Sequence, residues 1–134
     1  MSDALLLDTD ALSHLLRGTD RGGLVAKIAA VPPDRRFLSA IALGELLYGL
    51  ERRELTDLRR RLEREFLARI EVLPFDEAAA REYARLRVSL ERRRLPLAEA
   101  DLQIAAIAVS RGLRLLTGNG KHFRRIEELE IEEF

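Results

Sequence analysis

The sequence has no cysteine and no tryptophan, and only five phenylalanines and two tyrosines in 134 residues. The lack of cysteine excludes disulfides and thiolate metal sites. The scarcity of aromatics argues against reading single strands by base stacking; recognition of shape and phosphate would suit such a chain better. There is no excess of either charge: 23 basic residues balance 23 acidic ones. That argues against a protein that coats nucleic acid non-specifically, but it leaves room for a local basic patch. No apolar run approaches the ~18–20 residues needed to span a bilayer. The N-terminal stretch lacks a charged leader followed by a long apolar segment. The expectation is therefore a cytoplasmic protein with no membrane association. Arginine heavily outnumbers lysine, a bias that genome base composition can produce, so arginine runs carry limited functional weight.

The length fits one domain over residues 1–134. Strands and helices alternate along it. Ala4–Leu7 has the length and character of a buried strand. Asp10 is placed to cap a helix through Arg17, closed by Gly18, and 24–30 continues as a second short helix. Pro32-Pro33 is a break between elements. Phe37-Leu38 reads as a strand, and Ser39 caps a strongly apolar helix over 40–50. A charged helix is expected over 56–69, then a strand at Glu71–Leu73 ended by Pro74. Asp76 caps a long amphipathic helix towards Arg94, with Tyr83, Leu86 and Leu90 on one stripe. After Pro96 come a helix over 99–110, a strand at Arg114–Thr117, and a last strand at 129–131. This alternation predicts an α/β fold with a parallel sheet covered on both faces. Ligands in such folds sit at the carboxyl ends of the strands.

Three acids lie in apolar company. Asp8 follows Leu5-Leu6-Leu7, Glu45 is the only charge between Ala40 and Leu50, and Asp101 opens an almost wholly apolar stretch to Val109. An isolated carboxylate beside buried surface costs several kcal/mol unless it is paired or bound to a cation. Each has an ordinary explanation on its own: Asp8 as a helix cap, Glu45 paired with Arg52 or Arg53, Asp101 as a favourable charge at a helix start. Together, next to strand ends and helix starts, they point to a shared site. Carboxylates without cysteine or histidine suit a hard cation, Mg²⁺ or Mn²⁺. Such an ion activates water and neutralises phosphate charge, as phosphodiester hydrolysis requires.

The same residues carry a family resemblance. Leu6-Leu7-Asp8-Thr9-Asp10 before a helix resembles the opening motif of PIN domains. Ser39 through Leu46, with Glu45, resembles the second motif. Ala100-Asp101-Leu102-Gln103-Ile104-Ala105-Ala106 resembles the third, and Leu115-Leu116-Thr117-Gly118-Asn119 with Phe123 the fourth. The matches come in family order over nearly the whole chain, and Pro74-Phe75-Asp76 and the length resemble VapC-type toxins in particular. The resemblance implies an α/β/α sandwich with a parallel twisted sheet and a Mg²⁺-dependent endoribonuclease that cleaves structured RNA such as tRNA or rRNA. It implies Asp8 and Asp101 as principal metal ligands, with Glu45 completing the acidic triad and Asn119 as the fourth site residue. It also implies a cognate VapB-like antitoxin and a homodimer, or a heterotetramer or larger complex with that antitoxin. Asn119 departs from the aspartate that many members carry; the amide can still ligate or hold a water, but one negative charge is gone.

Around these positions, the Thr9 and Thr117 hydroxyls are candidates to hydrogen-bond a ligand carboxylate. Asp10 is read as a helix cap and Glu99 as a solvated helix start. Neither His14 nor His122 has ligand-like spacing. The basic runs read as solvated helix faces, with Lys121, Arg124 and Arg125 the candidates for RNA contact. Two other functions stay open. One is a haloacid-dehalogenase-like phosphatase with Asp8 as nucleophile and Asp10 as acid/base, which would leave Glu45 unexplained and lacks a paired acidic motif late in the chain. The other is a non-catalytic PIN-like module.

Overall fold

The computed structural model describes residues 3–134, so the first two residues of the expected 1–134 domain lie outside it. The elements are β1 (Leu5–Leu7), α1 (Thr9–Arg17), α2 (Leu24–Ala29), β2 (Arg36–Ser39), α3 (Ala40–Arg52), α4 (Thr56–Arg61), β3 (Glu71–Leu73), α5 (Glu77–Arg92), α6 (Glu99–Arg111), β4 (Arg114–Thr117), α7 (Gly120–Phe123) and β5 (Ile131–Glu133). All strand pairings are parallel, in the order β3-β2-β1-β4-β5. The chain builds outwards from β1 to one edge, then returns past it to build the other. The switch point between β1 and β4 opens a crevice at their carboxyl ends, where a ligand site is expected in a sheet of this kind.

The pleat sends successive side chains to opposite faces. Leu6, Leu38 and Leu115 enter the larger core with α3, α5 and α6. Leu5, Leu7 and Leu116 face the other way, against Ala11, Leu24, Ile28 and Val31. The fold is thus a three-layer α/β/α sandwich. α6 is buried along Ile104–Ala108, which explains its nearly unbroken apolar run: a helix covered on all sides needs no polar face. Among the described residues, no helix is long and apolar enough to cross a membrane.

Three expectations are corrected. Asp10 is not the cap of α1: the helix starts directly after β1, and Asp8 takes that position in an extended conformation, accepting from Ala11 N–H. The charged helix expected over 56–69 keeps α geometry only to Arg61, then widens to a π turn over Leu62–Phe66, where Leu67 N–H bonds Leu62 C=O. The last strand is Ile131–Glu133 rather than 129–131, because Leu129 sits in the turn before it and packs into the core.

Candidate active site

The carboxyl ends of the central strands and the first turns of the helices that follow them gather the acids. Asp8 ends β1 and is buried, at 5% exposure. Its Oδ1 accepts from Ala11 N–H at 2.7 Å, and the Thr117 hydroxyl at the end of β4 also bonds the carboxylate. That hydroxyl in turn accepts from Asn119 N–H at 2.9 Å. A short chain of bonds therefore ties the turn after β4 to the acid at the end of β1. Glu45 lies on α3, two turns from the Ser39 cap that accepts from Ala42 N–H. Its Oε1 accepts from the Thr9 hydroxyl at 2.7 Å, which occupies Glu45 without an arginine. Asp101 lies in the first turn of α6.

Asp8, Thr9, Asp10, Glu45, Asp101 and Asn119 line one cleft of about 230 Å³, walled on its apolar side by Ile104 and Phe123. None of the four acids makes an ion pair among the described residues, although most other acids of the chain do so with surface arginines. No lysine or arginine lines the cleft. Burial, the largest cause, lifts the Asp8 carboxyl to about 6; its two hydrogen bonds oppose the shift, and Asp10 and Asp101 add to it. Asp101 is raised in the same way, first by burial and then by repulsion from Glu45, with His122 pulling it down and Asp10 pushing it up.

Asp8 and Asp101 bear a cost of burial and repulsion that the bonds from Ala11 and Thr117 and the pull of His122 offset only in part. A divalent cation would offset it. The donors are carboxylate and amide oxygens, the set that hard cations prefer. Among the described residues no three Asp, Glu or His side chains stand close enough together to hold a metal ion by themselves, so an ion here would depend on one or two carboxylates and on water for its remaining ligands. Asn119 Nδ2 donates to His122 Nδ1 at 2.9 Å, which leaves the amide oxygen directed elsewhere, without a bond among the described residues.

Asp10 is the residue whose position sequence reasoning missed. It is exposed on the rim of the cleft, because the cap is supplied two residues earlier. Of the basic candidates, Lys121 is exposed, whereas Arg124 is paired with Glu133 and Arg125 donates to Pro96 C=O. Those two contacts tie β5 and the loop before α6 to the segment that carries Asn119.

Two glycines in that segment are close to their neighbours. A side chain at Gly118 would stand 3.2 Å from the Phe134 ring and 3.4 Å from Asp10 Oδ2. One at Gly120 would overlap the Glu133 carboxylate. Gly120→Ala is expected to cost about 1–2 kcal/mol in urea unfolding, since Arg124 restrains the glutamate that must move. Adding Glu133→Ala should recover most of the loss, and a loss of equal size in the double variant would mean that the overlap is not its cause.

Parallel topology, crevice and acid set together define a PIN domain. The PIN-domain family model matches residues 5–129, and the chain belongs to this family. It is similar to the tRNA(fMet)-specific endonuclease VapC of Salmonella typhimurium, 36% identical over 75% of this chain and 76% of that protein. It is equally similar to ribonuclease VapC1 of Rickettsia felis, 36% identical over 95% and 93% of the two chains. In structure it resembles VapBC2 of Rickettsia felis bound to a promoter DNA fragment, with a TM-score of 0.86 over 98% of each chain at 26% identity.

Proposed function

We propose that this protein is a divalent-cation-dependent endoribonuclease, the toxin of a VapBC-type toxin–antitoxin pair. The observation that carries the reading is the set of four carboxylates without ion pairs around the β1/β4 crevice, in a chain whose relatives are named as ribonucleases. A phosphatase with Asp8 as nucleophile is disfavoured: that carboxylate is buried and engaged by Ala11 and Thr117, and the chain matches the PIN family. A purely binding module would have little reason to gather four acids in one cleft with no cation paired to them.

Asp8 and Asp101 would hold the cation, with Glu45 and Asn119 reaching it directly or through water. When bound, the cation would neutralise phosphate charge and favour ionisation of water. The remaining work belongs to the chain. Ala11 and Thr117 fix the orientation of Asp8, Thr9 fixes Glu45, and Glu45 Oε2, which has no partner among the described residues, would take a proton from the attacking water. In the hydrolysis, water oxygen bonds to phosphorus, one ester P–O bond breaks, and the leaving oxygen is protonated. Ile104 and Phe123 exclude solvent from one side. A structured RNA such as tRNA or rRNA is the proposed substrate, and the cytoplasm the compartment.

A VapB-type antitoxin is the proposed partner, supported by structural neighbours solved as VapBC complexes. A homodimer, alone or within a heterotetramer or larger complex, is part of the same reading. The direct test incubates the purified full chain with total RNA, with Mg²⁺, with Mn²⁺ and with chelator. Discrete fragments that appear only with metal are expected; intact RNA under all conditions would remove the nuclease. Thr9→Val should raise the metal concentration needed for half-maximal cleavage by about 10–100-fold, the usual cost of losing a partner that orients a ligand. Thr9→Ser should retain the wild-type requirement, and equal behaviour of the two variants would exclude a role for the hydroxyl.

A further inference from the structure

A second groove, of about 260 Å³, continues from the acidic cleft and shares Thr9, Asp10 and Glu45 with it. It runs between α1 and α3, which pack against each other. At its far end stand Arg17, in the last turn of α1, and Arg53, the residue that closes α3. Thr9 and Arg17 are eight residues apart, and so are Glu45 and Arg53. At the α-helical rise, the backbone positions of the two arginines lie about 12 Å along their helices from Thr9 and Glu45. The groove has carboxylates at one end and two arginines at the other, with an apolar wall of Leu16, Leu46, Leu50, Leu55 and Leu58.

These arginines differ from most others in the chain. Arg59, Arg61, Arg81, Arg85 and Arg111 are paired with carboxylates. Arg17 and Arg53 are exposed, and their guanidinium groups make no hydrogen bond or ion pair among the described residues. Their position at helix ends complements the helix dipoles. That accounts for a positive charge there, but not for two of them facing one groove that leads to the acids.

We propose that Arg17 and Arg53 bind phosphates of the RNA strand that flank the scissile bond, so that the groove carries the strand away from the cleft. The proposal rests on the ribonuclease reading of the cleft and adds the path of the substrate. A polyanion whose reacting phosphate is held by a cation at the acidic end presents further phosphates along its length, and planar guanidinium groups bind phosphate oxygens in pairs. Such contacts position the strand without reading its sequence, in keeping with the scarcity of aromatics.

The test measures binding of fluorescein-labelled oligouridylate to the full chain in chelator, where no cleavage occurs, over a range of salt. Each phosphate contact on a single strand contributes about 0.7 to the slope of log K against log salt. Arg17→Ala and Arg53→Ala should each lower the slope by about that amount, and the double variant should bind roughly tenfold more weakly at moderate salt. Arg→Lys variants should keep the slope. An unchanged slope in the double variant overturns the proposal, and loss of antitoxin binding alone would then assign the groove to the protein partner. An equal fall on substituting Arg92 and Arg94, at the far end of α5, also overturns it, because the charge would be diffuse. Failure of the ribonuclease reading looks different: RNA stays intact with every metal while the slope still depends on Arg17 and Arg53.

Discussion

Asp8→Ala and Asp101→Ala should each abolish RNA cleavage while the protein stays folded. Both residues line the cleft, and both carry carboxylates raised by burial, so they are the acids for which a cation matters most. Removing a ligand forfeits several kcal/mol of transition-state stabilisation, roughly a thousandfold or more in rate. Saturating metal should restore little, because the loss lies in the placement of the ion as well as in its affinity. Circular dichroism and thermal melting distinguish this from unfolding: Asp101→Ala removes a charge with no hydrogen bond among the described residues, so its melting temperature should hold or rise. Asp8→Ala also loses the α1 cap, at a cost of about 1 kcal/mol, partly offset by release of the buried charge. Cleavage undiminished in both variants would sink the assignment of the site.

Much of this arrangement is legible in the sequence, for one physical reason. A charge that interrupts an apolar stretch needs an explanation, and Asp8, Glu45 and Asp101 each do so. Their shared destination follows from alternating strands and helices, which bring strand ends and helix starts to one side of a parallel sheet. The miss at Asp10 is a matter of two residues. With no loop between β1 and α1, Asp8 is both the end of the strand and the cap of the helix, and composition cannot tell which of two nearby aspartates spends an oxygen on a backbone N–H. The freed Asp10 then stands on the rim of both grooves.

Other features have no local signal. The π turn over Leu62–Phe66 shifts hydrogen-bond register without any change of composition. Leu129 and Ile131 are equally apolar, and only tertiary packing decides which of them is in the strand. The contact of Glu133 with Gly120 joins β5 to the turn that holds Asn119, a meeting that spacing alone does not reveal. Arg124 and Arg125 look like free cations in the sequence, yet a glutamate and a carbonyl claim them, whereas Arg17 and Arg53, in less conspicuous settings, keep their charges unpaired.

The metal-free protein should gain stability when its most buried acid is neutralised. Asp8 titrates at about 6 in the fold against an ordinary 3.8, so the folded state holds the proton more tightly than the unfolded chain. A difference of that size corresponds to about 3 kcal/mol at most. The sign follows from linkage: folding is favoured by this group below the unfolded pKa, and the advantage is lost as pH rises through the range between the two values, fully so above about 6. Asp76 works in the opposite direction. Its carboxyl is held below the usual range, chiefly by Ala79 N–H, so its contribution is present at neutral pH and is lost on acidification. Comparison of wild type with Asp8→Asn cancels that background. Asparagine caps a helix as well as aspartate does and carries no charge to bury. In chelator, urea unfolding should show Asp8→Asn more stable by up to about 3 kcal/mol near pH ~8, with the advantage gone near pH ~4. Added Mg²⁺ should stabilise the wild type by binding only its folded form and leave the variant nearly unchanged. A variant less stable than wild type near neutrality, or one stabilised by metal to the same extent, would mean that Asp8 is an ordinary cap and that the cation, if any, binds elsewhere.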